Sequence, residues 1–298
     1  MRILNAASRI RKVEAPKVLA PAEVLRPDTV SALERGIAVL RCFSESRHTL
    51  TATELSRLTG VPRPTVTRLA STLLTLGLLQ AESQTEAYQL GPGVLSLART
   101  FLAGLDIRAV ARPHMQELAE STGGSVYLAV RDGLDMVLIE ACRPRSTMLA
   151  PRLDVGSRAP IANSALGRAY LWAMNPEQRQ SLMDALRLAR AGEFGALEPG
   201  LQKALADADQ CGWCISAGEF HREINSVSVP LVGPTGKVMA LTCGTAAFVF
   251  SEDHLQSVVA PQLLKTANAL ASDVGGHVPR PERIHNLDHR AGHEDTPT

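Results

Sequence analysis

The sequence predicts an α+β protein in two parts, and three observations carry that prediction. Leu50–Leu78, LTATELSRLTGVPRPTVTRLASTLLTLGL, is punctuated as a short helix, a tight turn and a longer helix. Beyond residue 124 the pattern changes to short β-rich runs interleaved with helical ones. Charge divides along the same line. Residues 1–75 carry twelve Lys/Arg against six Asp/Glu, and the rest of the chain carries 19 against 24, although the whole chain is only +1. A basic first part on an acidic remainder suits a nucleic-acid module joined to a sensing or assembly module, although a solvated surface with uneven charge would look the same.

Residues 1–27 are rich in Ala, Pro and basic side chains without a period, and are expected to form a disordered basic arm. The first domain is expected over 28–91. Ser31 should cap a helix to about Phe43, with Leu33, Ile37, Val39 and Leu40 as its apolar positions. Thr51 with Glu54 three residues on is a capping-box pair. Gly60 is a helix-ending glycine, and Pro62 and Pro64 sit where the next helix can start without an N–H. In that second helix Val66, Leu69, Ala70 and Leu73 recur at helical spacing and pack inward. Arg63, Thr65, Thr67, Arg68 and Ser71 are left on the outer faces. A small polar face with arginines on the second helix of a helix–turn–helix suits the DNA major groove. With Thr51 at the preceding helix start, these residues are the candidate DNA-binding set.

Leu78–Glu82 and Ala87–Leu90 flank a polar turn, Ser83–Glu86, and read as a hairpin in the position of a wing. No Lys or Arg lies between Arg68 and Arg99. Phosphate contacts from this wing would have to come from Ser83, Gln84, Thr85, Tyr88 or backbone N–H groups. Gly91-Pro92-Gly93 then punctuates the chain. Val94–Leu105, within a linker of residues 92–106, is expected to be a helix whose Leu95, Leu97, Ala98, Phe101 and Leu102 are too apolar for a lone surface helix. It should pack on another helix, such as that of a partner chain.

The second domain is expected over 107–275. It opens with an amphipathic helix, Ile107–Ser121. Ser125–Val130 and Met136–Ala141 follow as strands around an Asp-Gly turn, and Met148–Leu153 as a further strand. Asn163–Met174 and Pro176–Leu188 read as helices, and Trp213–Ser216, Ser226–Val232 and Val238–Thr242 as strands. His254–Ala271 closes the domain as a helix. Residues 276–298 are polar and aperiodic, and are expected to be a disordered tail.

Other patterns exclude more than they suggest. No apolar run reaches the roughly 18 to 20 residues that span a bilayer, and the start lacks the apolar region of a secretory signal. Five cysteines without framework spacing fit a reducing cytoplasm. Cys211-Gly212-Trp213-Cys214 is a CxxC, but it follows a helix and opens a strand, the reverse of the redox arrangement, and no second CxxC completes a zinc site. Gly123-Gly124 lacks the Lys-Ser/Thr of a phosphate loop, and no Gly-x-Ser-x-Gly elbow is present. No catalytic residues, metal or cofactor are expected.

In order and spacing, SALERGIAVLRCF, the helix–turn–helix core with its wing, YQLGPGVLSLA, VGSRAPIANSALGRAYL and GWCISAGEFHREINSVSVPLVGPTGKVMALTCG resemble the IclR family of bacterial transcription regulators over about residues 29–271. The resemblance implies a winged helix–turn–helix joined by a linker helix to a GAF- or profilin-like α/β effector-binding domain. It implies homodimers or tetramers on double-stranded, pseudo-palindromic operators, regulating a catabolic operon under a small organic or aromatic acid. It also implies an effector site of Met148, Asn163, Ser164, Ala165, Leu166, Ser216, Glu219 and Ser226, with Thr242 and Cys243 joining from the last strand. A free helix N-terminus near Asn163 or Ser164 would favour a carboxylate. The alternative is a small-molecule-binding enzyme, or a CxxC redox protein, carrying a helical N-terminal extension.

Overall fold

The computed structural model describes residues 29–82, 85–145 and 153–281. The chain divides into two compact units, Met1–Gly104 and Leu105–Thr298. The expected arm, Ser83, Gln84, Met148 and the tail beyond residue 281 lie outside the described residues.

The first unit runs α1 (Ser31–Leu40), β1 (Leu50–Thr51), α2 (Ala52–Thr59), α3 (Arg63–Thr75), β2 (Leu79–Ala81), β3 (Ala87–Leu90) and α4 (Gly93–Ala103). Val66, Ala70 and Leu73 of α3 pack with Val39, Leu50, Leu55, Val61 and Leu79. The inward face of α3 is thus the one its apolar spacing prescribes. Ser31 is not a cap: Val30 holds that position without a side-chain bond, and α1 stops at Leu40. The antiparallel sheet is ordered β1-β3-β2. The sequence reading has no β1, because two residues carry no period; pairing of Leu50 with Tyr88 and Thr51 with Ala87 makes it.

Gly91 and Gly93 do more than end the hairpin. A Cβ on either would stand 2.3 or 2.7 Å from the Gly77 carbonyl oxygen. The backbone therefore passes too close for any other residue. Beyond them α4 buries none of its residues. Leu95, Leu97 and Phe101 are all more than half exposed.

The second unit runs α5 (Ile107–Thr122), β4 (Ser125–Asp132), β5 (Asp135–Cys142), β6 (Arg158–Pro160), α6 (Ala165–Trp172), α7 (Pro176–Ala189), α8 (Phe194–Cys211), β7 (Cys214–Ala217), β8 (Ile224–Val232), β9 (Val238–Ala246), α9 (Glu252–His254), a π-helical stretch (Leu255–Val259) and α10 (Ala260–Asp273). Its six strands form one sheet in the order β6-β5-β4-β9-β8-β7, every neighbour antiparallel. α5 packs on β4 and β5, and α10 on β8, β9 and α5. α6 also packs on β8 and β9, with α8 against α6. β4 is buried without a break from Ser125 to Val130, as a strand covered on both faces should be.

A β-bulge divides the faces of β5. Leu128 pairs with Glu140 and Ala129 with Leu138, leaving Ile139 as the extra residue. Leu138 then joins the core that contains Leu166 and Ala169 of α6. Glu140 instead meets Arg108 and Arg112 of α5 at 3.1 and 2.9 Å.

Several expectations need revision here. α8 is absent from the sequence reading because Gly195, Pro199 and Gly200 interrupt its pattern, yet Leu201, Leu205 and Ala208 seat it on the core. The expected strand Met148–Leu153 lies almost wholly outside the described residues, and Leu153 itself is not in a strand. The ordered chain does not stop at residue 275. His277 and Val232 exchange backbone hydrogen bonds of 2.9 Å, and Val278 and Pro281 are buried.

Candidate functional site

Two sites emerge, one in each unit. In the first, α2 starts on a complete capping box. The Glu54 N–H donates to Thr51 Oγ1 at 3.3 Å, and the Thr51 N–H donates to Glu54 Oε2 at 2.8 Å. Thr51 Oγ1 also donates to Glu54 Oε2, so its hydroxyl is committed to the cap. Gly60 takes the left-handed φ of 71° that turns the chain toward α3. On α3, Arg63, Thr67, Arg68 and Ser71 are exposed and Thr65 is half-buried. Among the described residues, neither Arg63 nor Arg68 engages a carboxylate. Thr67 Oγ1 donates back to the Arg63 carbonyl at 3.1 Å, which leaves its lone pairs and methyl outward.

The hairpin offers less. Glu82 accepts from Thr85 Oγ1 at 2.5 Å, and Tyr88 packs against the core. Both wing side chains are therefore occupied within the hairpin or beneath it.

In the second unit a small pocket opens beside the N-terminus of α6. Ser164, Ala165, Leu166, Ser226 and Thr242 line it, together with Tyr127, Leu138, Leu153, Ala159, Phe220, Ile224 and Gly244. Among the described residues no charged side chain lines it. Ser164 caps α6: its Oγ accepts from the Gly167 N–H at 3.1 Å and donates to the Pro160 carbonyl at 2.6 Å. Thr242 Oγ1 donates to the Val227 carbonyl. Ser226 Oγ has no partner among the described residues, so it is the hydroxyl left to donate into the pocket. The first N–H groups of a helix have no partner within that helix and carry a positive partial charge. An apolar chamber with such a terminus and a spare hydroxyl fits a small anion with an apolar body. Burial raises the pKa of the Tyr127 phenol. It enters the pocket as a neutral phenol.

Not every expected residue reaches this pocket. Cys243 lies on the opposite face of β9, because Thr242 and Gly244 take the pocket face and strand neighbours alternate. Its Sγ sits 3.5 Å from Thr122 Oγ1, and burial raises the thiol to about 12. Asn163, Ser216 and Glu219 stand behind the wall instead of lining it. Asn163 Nδ2 donates to the Glu219 carbonyl at 3.0 Å, and Ser216 Oγ donates to the Asn163 carbonyl at 2.9 Å. The Glu219 carboxylate is held by Arg168. Tyr127, Phe220 and Arg168 are absent from the sequence reading. Tyr127 pairs with Thr242, 115 positions further along the chain, which no local pattern reveals.

The CxxC does not form a reactive pair. Burial raises both thiols, Cys214 furthest. Cys211 Sγ donates to the Asp207 carbonyl at the C-terminal end of α8, where the helix dipole disfavours a thiolate. Among the described residues no group of three or more His, Cys, Asp or Glu is placed to hold a metal. No described helix is long and apolar enough to cross a membrane.

Comparison with known proteins matches each of the two units to a family. Two family models match: the IclR helix-turn-helix domain over residues 32–83 and the bacterial transcriptional regulator IclR C-terminal domain over residues 99–272. The HTH-type transcriptional regulator TsaQ1/TsaQ2 of Comamonas testosteroni is 33% identical over 204 residues, 68% of this chain and 73% of that protein. The crystal structure of an IclR family transcriptional regulator from Brucella abortus has a TM-score of 0.78 at 37% identity, covering 87% of this chain and 97% of that one. An IclR homolog from Microbacterium hydrocarbonoxydans, solved in complex with 4-hydroxybenzoate, shares the fold with a TM-score of 0.63 at 22% identity, covering 82% and 99%. The matched families are transcriptional regulators and not enzymes, which removes the enzyme and redox alternative. This chain, with its winged helix–turn–helix and its α/β effector domain, belongs to the IclR family of bacterial transcriptional regulators.

Proposed function

We propose that this regulator reads its operator through the outer face of α3 and is modulated by a small organic or aromatic acid bound beside α6. The carrying observation is the α3 face. Arg63 and Arg68 are exposed and free of carboxylates among the described residues, with Thr67 and Ser71 between and beyond them. Arginine forks there can reach guanine edges or phosphates in a major groove. The acid is supported by the apolar pocket with one free hydroxyl at a helix N-terminus, and by the 4-hydroxybenzoate in the Microbacterium relative. The open apolar face of α4 supports a homodimer, or a tetramer of two dimers, whose paired α3 helices meet half-sites of a pseudo-palindromic operator. Such a protein would work in the cytoplasm on a catabolic operon.

The test is a pair of substitutions. Arg63→Ala and Arg68→Ala should each weaken operator binding by about 1 to 3 kcal/mol if they read bases. An arginine that holds only phosphate should lower affinity for all duplexes alike and flatten the salt dependence by about one charge. Wild-type affinity and salt slope in either variant would remove that residue from the interface.

A further inference from the structure

We infer that Arg168 and Glu219 form a positioning clamp that fixes the two walls of the α6 pocket, so that Glu219 governs effector affinity without touching the effector. The inference rests on the effector reading of the pocket above, but departs from the family resemblance, which implies that Glu219 belongs to the effector site itself.

Arg168 projects from α6 and is only 3% exposed. Its two terminal nitrogens hold the Glu219 carboxylate as a fork, at 2.5 and 2.7 Å. One of them also donates to the Ile215 carbonyl at 2.8 Å. Such bidentate pairs are geometrically demanding as well as strong, and a lysine cannot reproduce them. Two further bonds run in parallel. Asn163 Nδ2 holds the Glu219 carbonyl, and Ser216 Oγ holds the Asn163 carbonyl. Together they tie the start of α6 to β7 and to the turn that follows it.

Both sides of this tie carry pocket residues. Ser164, Ala165 and Leu166 lie just before Arg168, and Phe220 directly follows Glu219. The clamp therefore sets the distance between the anion-favouring helix end and an aromatic wall. α8 closes on it from behind. A Cβ at Gly200 would stand 2.8 Å from Glu219 Oε1 and 3.3 Å from Arg168 Nη2. A desolvated guanidinium in this place needs its carboxylate, and a well-fixed pocket wall is what the pairing provides.

The sign of an affinity change separates a clamp from a direct contact. If the Glu219 carboxylate faced the ligand, Glu219→Gln would remove like-charge repulsion and tighten an anionic acid. As a clamp, the same variant loosens Phe220 against α6 and weakens it. Gly200→Ala is the second variant. It leaves both charged residues in place, and in a helix interior the alanine gains helix propensity. A purely structural role for the clamp would leave its affinity unchanged.

The experiment titrates benzoate and 4-hydroxybenzoate into full-length wild type, Glu219→Gln, Arg168→Lys and Gly200→Ala by calorimetry, and follows hydrogen exchange of residues 218–224 in the absence of acid. All three variants should bind at least ten-fold more weakly, with Gly200→Ala as thermally stable as wild type. Exchange at Gly218 and Ile224, whose amides bond within this turn, should rise in each. Tighter binding by Glu219→Gln, or unchanged affinity in Gly200→Ala, overturns the clamp. If wild type binds neither acid, the pocket reading fails on its own terms, and unchanged exchange in the variants overturns the clamp independently.

Discussion

Thr51 shows how one side chain is used to the full. Its hydroxyl and N–H both meet Glu54, and the pair holds the start of α2, the helix that supports α3. The backbone hydrogen bond from Thr51 is the main reason the Glu54 carboxyl sits below its ordinary pKa. A carboxyl depressed in the folded state stabilises above its unfolded value, near pH 4.3, and that contribution is lost as pH falls through the folded value. Thr51→Ala removes the hydroxyl cap but keeps the backbone N–H, so it should cost about 1 kcal/mol at neutral pH. Glu54→Gln, which removes the titrating carboxylate, should instead destabilise at neutral pH and cost progressively less as pH falls below about 4. Urea denaturation at neutral pH and at pH 3 checks both, and an equal cost of Glu54→Gln at the two pH values would contradict this role for the carboxylate. Thr51, Gly60 and the α3 face were legible in the sequence because capping and helical period are local. The start of α6 near Asn163 or Ser164 was legible for the same reason, and the structure makes Ser164 the cap. Tyr127, Phe220 and Arg168 were not, because strand pairing and a buried ion pair across 51 positions place them. Cys243 was misplaced by a single step along a strand, and a single step changes the face.

At the scale of elements, the pocket depends on where α6 begins. Gly167 lies in its first turn, and a Cβ there would stand 2.2 Å from Ile161 Cα and 2.3 Å from its carbonyl oxygen. Neither atom belongs to a flexible side-chain end, so the helix or the preceding segment must move. Gly167→Ala should cost about 1 to 3 kcal/mol or more, despite the better helix propensity of alanine. It should also weaken acid binding, because the displaced element carries Ala165 and Leu166 into the pocket. A variant as stable as wild type in chemical denaturation would show that the close approach is not rigid. Strong periodic elements, such as α3, α5, β8 and the closing helix, were legible from pattern alone. α8 was not, since Pro199 and two glycines mask a helix that tertiary packing nonetheless forms. β1 and β6, of two and three residues, exist only through their partners.

At the scale of the whole molecule, the chain separates reading from sensing. The first unit carries a free arginine face and an apolar helix without a partner among the described residues. The second carries a pocket whose walls are tied to one another rather than to solvent. An effector can act only by preferring one arrangement of the protein over another, so its influence on DNA equals the difference in its affinity for the two. The charge asymmetry of the sequence foreshadowed this division, and the order of elements made the family legible. The α/β pocket lining was the least legible part, since it draws on five separate strands and one helix end.

The most direct measurement is fluorescence anisotropy of the purified protein on the DNA upstream of its own gene, against a shuffled duplex, across a salt series. A preference on the order of 10³-fold or more, with affinity falling steeply as salt rises, is the predicted result. Equal and weak binding to both duplexes at every salt concentration, alongside no loss in Arg63→Ala or Arg68→Ala, would contradict the claim that α3 reads an operator there.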